Sequence, residues 1–222
     1  MAHPLDAHRT FFREFRRHFH TTGSVIPSSP FLAKALARYV KQDNSEAGNQ
    51  PRSILEVGPG TGAVTDKIVA ALGPQDRLAL VEINDEFVAL LKRRFETLPQ
   101  LKAVASRVTI LQNGVERLTE ERHYDLIVSG LPLNNFSVAD VEQILSVFAR
   151  LLKPSGRLSF FQYIGLRRLR WLVSQAAERE RLHGVGLALD RLLRQRELRR
   201  EAVWLNFPPA WVHHVQFPTA PS

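Results

Sequence analysis

Between residues 53 and 163 the chain alternates between two hydrophobic periods. Five short runs are apolar and rich in branched or aromatic residues: "SILEVG" (53–58), "RLALVE" (77–82), "RVTIL" (107–111), "DLIVSG" (125–130) and "RLSFFQY" (157–163). Such runs predict parallel strands buried on both faces. Between them lie stretches with apolar positions at helical spacing. "AVTDKIVAALG" stops at Gly73-Pro74, "NDEFVALLKRRFETL" at Pro99, and "VADVEQILSVFARLLKPSG" at Pro154 and Gly156. Gly and Pro are the expected helix stops. The alternation predicts an α/β fold with a doubly wound, mostly parallel sheet. "AVWLNF" and "AWVHHVQF", parted by Pro208-Pro209, predict a closing antiparallel hairpin. "KQDNSEAGNQPRS" (41–53) reads as a polar linker into the first strand.

Two flanking pieces follow a different pattern. "LDAHRTFFREFRRHFH" (5–20) places Phe11, Phe15 and Phe19 on one helical face, with Phe12 beside them and Arg9, Arg13, Arg16 and Arg17 over much of the rest. This suits an interfacial helix, and equally a helix that packs its Phe stripe on the domain. Residues 165–200 predict two basic helices broken near Gly184-Val185-Gly186. They read either as a lid over the substrate side or as a solvated charged face. The expected organisation is an N-terminal helical segment, 1–50, that binds membrane or acts as a lid. A main domain, 51–222, follows and carries an Arg-rich helical insert at 164–200.

Charge sharpens this division. The 222 residues carry a formal net charge of +8, and the isoelectric point is near 10.4. Residues 164–200 hold ten Arg against Glu178, Glu180, Asp190 and Glu197, whereas residues 31–163 are close to neutral. A polyanionic partner is expected, nucleic acid or anionic membrane. There are no cysteines, which excludes disulfides, thiolate catalysis and cysteine-ligated metals. The longest apolar runs are too short to span a bilayer, and the N-terminus lacks a signal-peptide core. The expected location is cytoplasmic.

The candidate chemistry centres on "ILEVGPGTGAV" (54–64). Gly58 and Gly60 let backbone approach a ligand closely, and the following helix N-terminus offers free N–H groups. Gly58, Gly60 and Ala63 also fit a dinucleotide fingerprint. Two details favour S-adenosylmethionine. The loop reads E-x-G-x-G-x-G, from Glu56 to Gly62, and Glu56 inside the strand suits the cofactor's amino or sulfonium side. Glu82 ends the second strand, where it can accept both ribose hydroxyls.

These features resemble the class I S-adenosylmethionine-dependent methyltransferases. The resemblance implies a Rossmann-like sheet of seven strands with the last antiparallel. The cofactor is S-adenosyl-L-methionine, released as S-adenosyl-L-homocysteine, with no metal. It implies cofactor contacts at Glu56, Gly58, Pro59, Gly60, Thr61, Gly62, Glu82, Ile83 and Ser129. Adenine is expected against the backbone of Asn113, Gly114 and Val115, with Gly114 where an Asp often stands.

"GLPLNNFS" (130–137) is similar to the "NLPYNIS"-like loop of ribosomal RNA adenine dimethyltransferases, but Gly130 replaces the base-holding Asn and Leu133 the stacking aromatic. Several stretches together resemble the bacterial phospholipid N-methyltransferases: "GSVIPSSPFLAKAL" (23–36), "EVGPGTGAVT" (56–65), "VSGLPLNNF" (128–136), "GRLSFFQY" (156–163) and "VWLNFPPAWVH" (203–213). That resemblance implies methylation of phosphatidylethanolamine towards phosphatidylcholine, by a peripheral enzyme at the inner face of the cell membrane. The alternative is an rRNA adenine N6-methyltransferase. Residues 5–20 and 164–200 are the expected membrane contacts; no nucleic acid is expected, and the protein is expected to be a monomer. Expected substrate contacts are Ser29, Leu131, Leu133, Phe136, Tyr163 and Trp204, the leucines walling a headgroup pocket. Tyr163 is the candidate to orient or deprotonate the amine. His183 reads as a hinge or surface residue, and "NFPP" (206–209) as a turn.

Overall fold

The computed structural model describes residues 28–41, 50–165 and 176–217. The Phe–Arg stretch 5–20, most of the polar linker and residues 166–175 of the insert lie outside the described residues.

Seven strands form one sheet in the order β3-β2-β1-β4-β5-β7-β6. They are β1 (Ser53–Val57), β2 (Arg77–Glu82), β3 (Val108–Gln112), β4 (Tyr124–Ser129), β5 (Leu152–Tyr163), β6 (Glu197–Val203) and β7 (Ala210–Gln216). The first five run parallel, and β7 is antiparallel to both β5 and β6. This is the doubly wound sheet with an antiparallel last strand that the apolar runs predict. β5 begins earlier than expected, at Leu152, directly from the preceding helix.

The alternation of side chains along each strand sorts the core into two layers. Leu55, Val57, Ile127, Leu158 and Phe160 face one way. They pack against α5 (Val138–Leu151) and α6 (Ala176–Arg196) through Ile144, Phe148, Leu151 and Leu189. Ile54, Leu78, Leu80 and Leu126 face the other way. Their cover is α1 (Pro30–Leu36), α2 (Ala63–Val69), α3 (Asp85–Thr97) and the short α4 (Pro99–Lys102), which contribute Leu32, Leu36, Ile68, Leu91 and Leu101. Local signals start these helices where expected. Asn84 caps α3, accepting from the N–H groups of Glu86 and Phe87 at 2.8 and 3.2 Å. Ser137 and Asp140 form a reciprocal capping box on α5.

The insert departs from its prediction. Instead of two helices broken at Gly184-Val185-Gly186, α6 runs unbroken through these residues. A Cβ on Gly184 would lie 2.5 Å from Val138 Cγ2. The glycine is there so that two helices can touch, and this contact outweighs the roughly 1 kcal/mol that Gly costs a helix. Leu182, Val185, Ala188 and Leu189 are buried. The described part of the insert is therefore a core helix with a basic outer face. Arg199 and Arg200 belong to β6, an edge strand that such charges protect from further pairing.

Candidate active site

The sheet order reverses between β1 and β4, and the crevice at the carboxyl ends of these strands is where an open α/β sheet takes its ligand. Two loops meet there. Gly58, Gly60 and Gly62 all have positive φ, at 70°, 55° and 89°, a region that disfavours any residue with a Cβ. The Gly130 N–H donates to Val57 O at 2.8 Å. A Cβ on Gly130 would sit 2.5 Å from the Gly58 carbonyl oxygen, and one on Gly58 would sit 2.8 Å from Leu131 Cδ2. The β1 and β4 loops thus interlock through absent side chains. Gly60 differs: a Cβ there would meet nothing within 4 Å. It borders open space on the cleft side of the loop.

Arg94 of α3 fastens the loop from behind. It donates to Thr61 O at 2.7 Å and pairs with Asp66 at 2.8 Å. Neither contact was legible in the sequence, because Arg94 lies 33 residues from Thr61 and looks like any surface cation of an amphipathic helix.

Two carboxylates define the electrostatics. Glu56 is buried, and its Oε2 accepts from Thr65 Oγ at 2.8 Å, while its Oε1 has no partner among the described residues. Burial pushes its pKa up to about 8, against the lowering effect of the Thr65 hydrogen bond. Glu82 closes β2. Its Oε2 accepts the Gly60 N–H at 3.0 Å, and its Oε1 accepts those of Ile83 and Asn84 at 2.8 and 2.9 Å. Burial raises its pKa as well, with these backbone donors opposing the shift. A carboxylate has about four lone-pair sites, so Glu82 retains acceptor capacity. It also clasps the glycine loop to β2.

A cationic ligand bearing hydroxyl groups matches these features. Glu56 Oε1 is a buried acceptor lacking a donor, Glu82 has acceptor capacity to spare, and Gly60 leaves space. S-adenosylmethionine carries an ammonium, a sulfonium and a ribose diol, so the residues present fit it. The chain after β3 adjoins Glu82, since the Asn113 N–H donates to Glu82 O at 3.1 Å. The space beside Gly114, where an Asp often stands in relatives, is taken by the Glu116 carboxylate. Of the expected cofactor residues, Glu56, 58–62, 82–83 and 113–115 lie at the carboxyl ends of β1, β2 and β3. Ser129 is buried at the end of β4, and its Oγ accepts the Leu131 N–H at 3.3 Å.

The expected substrate residues divide into three groups. Leu133 and Phe136 are buried, packed with Val141 and Leu189 beneath α5 and α6. Leu131 is buried against Gly58. α6 packs against the "LPLNNF" loop, so Leu133 and Phe136 are buried between the loop and the helix layer. Ser29 caps α1, accepting the Leu32 N–H at 3.2 Å. Tyr163, half-buried, ends β5 edge-on to Phe161 at 5.1 Å, and burial raises its pKa. A phenol shifted that way stays neutral, so Tyr163 suits orientation rather than proton removal. Trp204 is exposed in the β6–β7 turn. His183 is exposed on α6, as expected of a surface residue. "NFPP" is a turn, with Asn206 accepting from the Ser29 N–H at 3.0 Å and donating to Pro208 O at 2.7 Å.

Two groups escaped the sequence reading. Asn134 lies in the β4 loop, and its Oδ1 is a buried acceptor without a partner among the described residues. Arg181 of α6 donates to the Asn134 carbonyl at 3.0 Å and ties the loop down. Among the described residues, no group of three or more His, Asp or Glu side chains could hold a metal ion.

Comparison with known proteins agrees with this geometry. Residues 55–158 match the family model described as a methyltransferase domain. The chain is 30% identical over 151 residues to an ornithine lipid N-methyltransferase of Singulisphaera acidiphila, covering 66% of this chain and 72% of that protein. It is 31% identical over 111 residues to a ubiquinone/menaquinone biosynthesis C-methyltransferase of Ectopseudomonas mendocina, covering 50% of this chain and 41% of that one. The chain thus spans less than half the length of this second relative. Among solved structures, a 1,6-didemethyltoxoflavin-N1-methyltransferase of Burkholderia thailandensis, with its substrate and S-adenosylhomocysteine bound, superimposes with a TM-score of 0.59. The match covers 98% of this chain and 92% of that one at 17% identity, and so speaks for the fold. With the glycine loop, the paired carboxylates and the sheet order in agreement, the chain belongs to the class I S-adenosylmethionine-dependent methyltransferases.

Proposed function

We propose that the protein transfers methyl groups from S-adenosylmethionine to the amine of phosphatidylethanolamine, and then to its mono- and dimethyl forms, at the membrane surface. The observation that carries this reading is the contact at Gly130. A side chain there would strike the Gly58 carbonyl at 2.5 Å, so the Asn that holds adenine in the RNA enzymes has no room. The likeness to an ornithine lipid N-methyltransferase supports a lipid amine as acceptor. The Arg-rich residues of 5–20 and the exposed cations of 164–200, such as Arg191 and Arg194, are the proposed contacts with anionic lipid. The protein would act as a monomer, docked on the cytoplasmic face of the cell membrane.

When bound, S-adenosylmethionine supplies an electrophilic methyl group on sulfur. Glu56 would hold its amino group and Glu82 its ribose hydroxyls, with the backbone of 113–115 beside the adenine. The chain's remaining task is to align an amine lone pair in line with the methyl group and to exclude water. The amine must react unprotonated, because an N–H cation has no lone pair. Asn134 Oδ1 is the proposed acceptor for an amine N–H, and the neutral Tyr163 phenol a second orienting group. The fully methylated product is a quaternary ammonium, for which the face of Tyr163 is a suitable neighbour.

The test offers the purified protein labelled S-adenosylmethionine with vesicles of phosphatidylethanolamine, vesicles of ornithine lipid, or undermodified ribosomal RNA. Label in phosphatidylethanolamine is expected. Label confined to ornithine lipid would shift the substrate to that of the relative. Label in the RNA with both lipids untouched would make the adenine reading correct.

A further inference from the structure

The carboxyl edge of the sheet carries a second feature, away from the β1–β4 crevice. The β6–β7 turn, residues 204–209, lies at the carboxyl end of β5, since Tyr163 pairs with Ala210 and the Ile164 N–H donates to Pro209 O at 2.7 Å. α1 begins at the same edge, where the Ser29 N–H meets Asn206. On these two pieces stand four large apolar side chains in water: Trp204 is 65% exposed, Leu205 69%, Phe207 79% and Phe31 53%. Leu187 and Leu198, the other exposed large apolar groups among the described residues, lie elsewhere, on α6 and β6. Scattered exposed leucines are ordinary, but four such groups on one edge mark a contact surface.

The surroundings indicate what it contacts. Between α1 and the turn runs a shallow groove of about 360 Å³, lined by Phe31, Lys34, Arg38, Trp204 and Leu205. Cations stand behind the apolar groups: Lys34, Arg38, Arg199, and Arg200, whose guanidinium lies 4.8 Å from the centre of the Trp211 ring. Glu201, an acid at this rim, is bonded to Arg38, Arg199 and His214. An apolar tip of Trp, Leu and Phe with Lys and Arg set back is the arrangement that enters the headgroup region of an anionic bilayer. Asn206 braces the turn through Ser29 and Pro208, so little order remains to be lost on docking. Residues 1–27, with their phenylalanines and arginines, join the described chain at Ser28, beside this same tip.

We propose that the β6–β7 turn, with Phe31, is a preformed membrane wedge: Trp204, Leu205 and Phe207 insert into the boundary of an anionic lipid bilayer and set the cofactor cleft against the headgroups. This rests on the lipid-amine reading for its purpose, though not for its test. In the wedge, residues 204–207 supply affinity on their own account, in addition to the Phe–Arg stretch 5–20.

The test uses the full chain and vesicles of phosphatidylglycerol and phosphatidylcholine, which offer no transferable amine. Leu205→Ser with Phe207→Ser removes the tip, and Leu187→Ser removes a similar exposed leucine from α6 as a control. The expected result is vesicle binding at least tenfold weaker for the tip variant and unchanged for the control, with S-adenosylhomocysteine affinity and thermal midpoint preserved in both. Brominated lipid should quench the emission of Trp204, and Trp204→Phe should abolish that component. Wild-type sedimentation by the tip variant, or no binding by the wild type, overturns the wedge. So does a tip variant that loses self-association in solution and keeps its vesicle binding, which would assign the surface to a second copy of the chain. Methyl transfer to phosphatidylethanolamine, measured in vesicles and with a short-chain soluble form, separates the two proposals. If the tip variant is as active on vesicles as the wild type, docking fails and the substrate reading stands. If the wild type binds through the tip and methylates neither form, the substrate reading fails and docking stands.

Discussion

At the β1–β4 end of the sheet's carboxyl edge, Glu56 and Glu82 are buried, and each is held by hydrogen bonds from its neighbours. At the β5–β7 end, Trp204, Leu205 and Phe207 stand in solvent. One end hides carboxylates and the other displays apolar groups. Both arrangements cost free energy in the free protein, because a buried carboxyl group loses its hydration and an exposed aromatic ring orders water. Costs of this kind concentrate where a ligand relieves them. A cation relieves the first and a lipid boundary the second.

The strongest way to break this comparison is at the loop interlock. Gly130→Asn would push an amide into the Gly58 carbonyl. Overpacking of that kind costs about 1–3 kcal/mol in stability. Methyl transfer should fall on the order of a hundredfold, with a lower thermal midpoint and weaker S-adenosylhomocysteine binding. The Cβ of Gly60→Val meets no atom of the described residues within 4 Å, so the change should strain the left-handed backbone by about 1–2 kcal/mol while its main loss is in cofactor affinity. Calorimetry and melting curves on the pair would show whether one glycine serves the fold and the other the ligand. Equal behaviour of the two variants would remove that distinction.

Glu82→Ala should weaken S-adenosylhomocysteine binding by about 1.5–3 kcal/mol, since hydrogen bonds to a charged group are lost. The Gly60 N–H also loses its acceptor, so the β1 loop should exchange amide protons faster. Unchanged affinity would remove Glu82 from the site. Next in size is Asn134→Leu, which replaces an unpartnered acceptor by an apolar group of similar shape. It should lower kcat/KM for the lipid about tenfold and leave cofactor affinity unchanged. A matching fall in cofactor affinity would show that Asn134 acts through the loop alone.

The smallest effect is the pH dependence, and it compares the two ends directly. Glu56 has its pKa raised from 4.5 to about 8 by burial. The unfolded state therefore ionises first, and stability falls as pH rises from 4.5 towards 8. His214, beneath the β7 end and bonded to Ser159 and Glu201, has its pKa lowered from 6.5 to about 4 by burial. There the unfolded state binds the proton, and stability falls as pH drops from 6.5 towards 4. The two oppose each other between 4.5 and 6.5. The free enzyme should melt a few degrees lower at pH 8 than at pH 6.5, and Glu56→Gln should flatten that limb while leaving acid destabilisation in place. At pH 7 cofactor binding should release close to one proton from Glu56, visible as buffer-dependent heats of binding and absent in Glu56→Gln. Buffer-independent heats in the wild type would show that Glu56 is already ionised.

The strands were legible because a buried parallel strand needs an apolar residue at nearly every position. β2 matches its predicted run residue for residue, and β1 and β4 match within one position. The glycine loop was legible for a related reason, since three positive-φ residues in five leave glycine as the ready choice. The insert misled because Gly184 looks like a helix break until Val138 is placed against it, and because helical arginines look alike whether their helix is a lid or a wall. The burial of Leu133 and Phe136 was hidden in the same way. An apolar loop beside a cofactor suggests a substrate wall, and only the packing of α6 shows that it is core.

The sequence by itself determined the order of elements, the cofactor class and the positions of Glu56 and Glu82, because these depend on local periodicity and on spacing within one β–α–β unit. The tertiary structure decided which glycine faces backbone and which faces open space, that Arg94 locks the loop, and that Asn134 keeps an unpartnered oxygen. It also decided that Trp204, Leu205 and Phe207 point outward. These are relations between groups distant along the chain, and apolar residues in a turn carry no mark of being buried or exposed until the sheet has placed that turn at its edge.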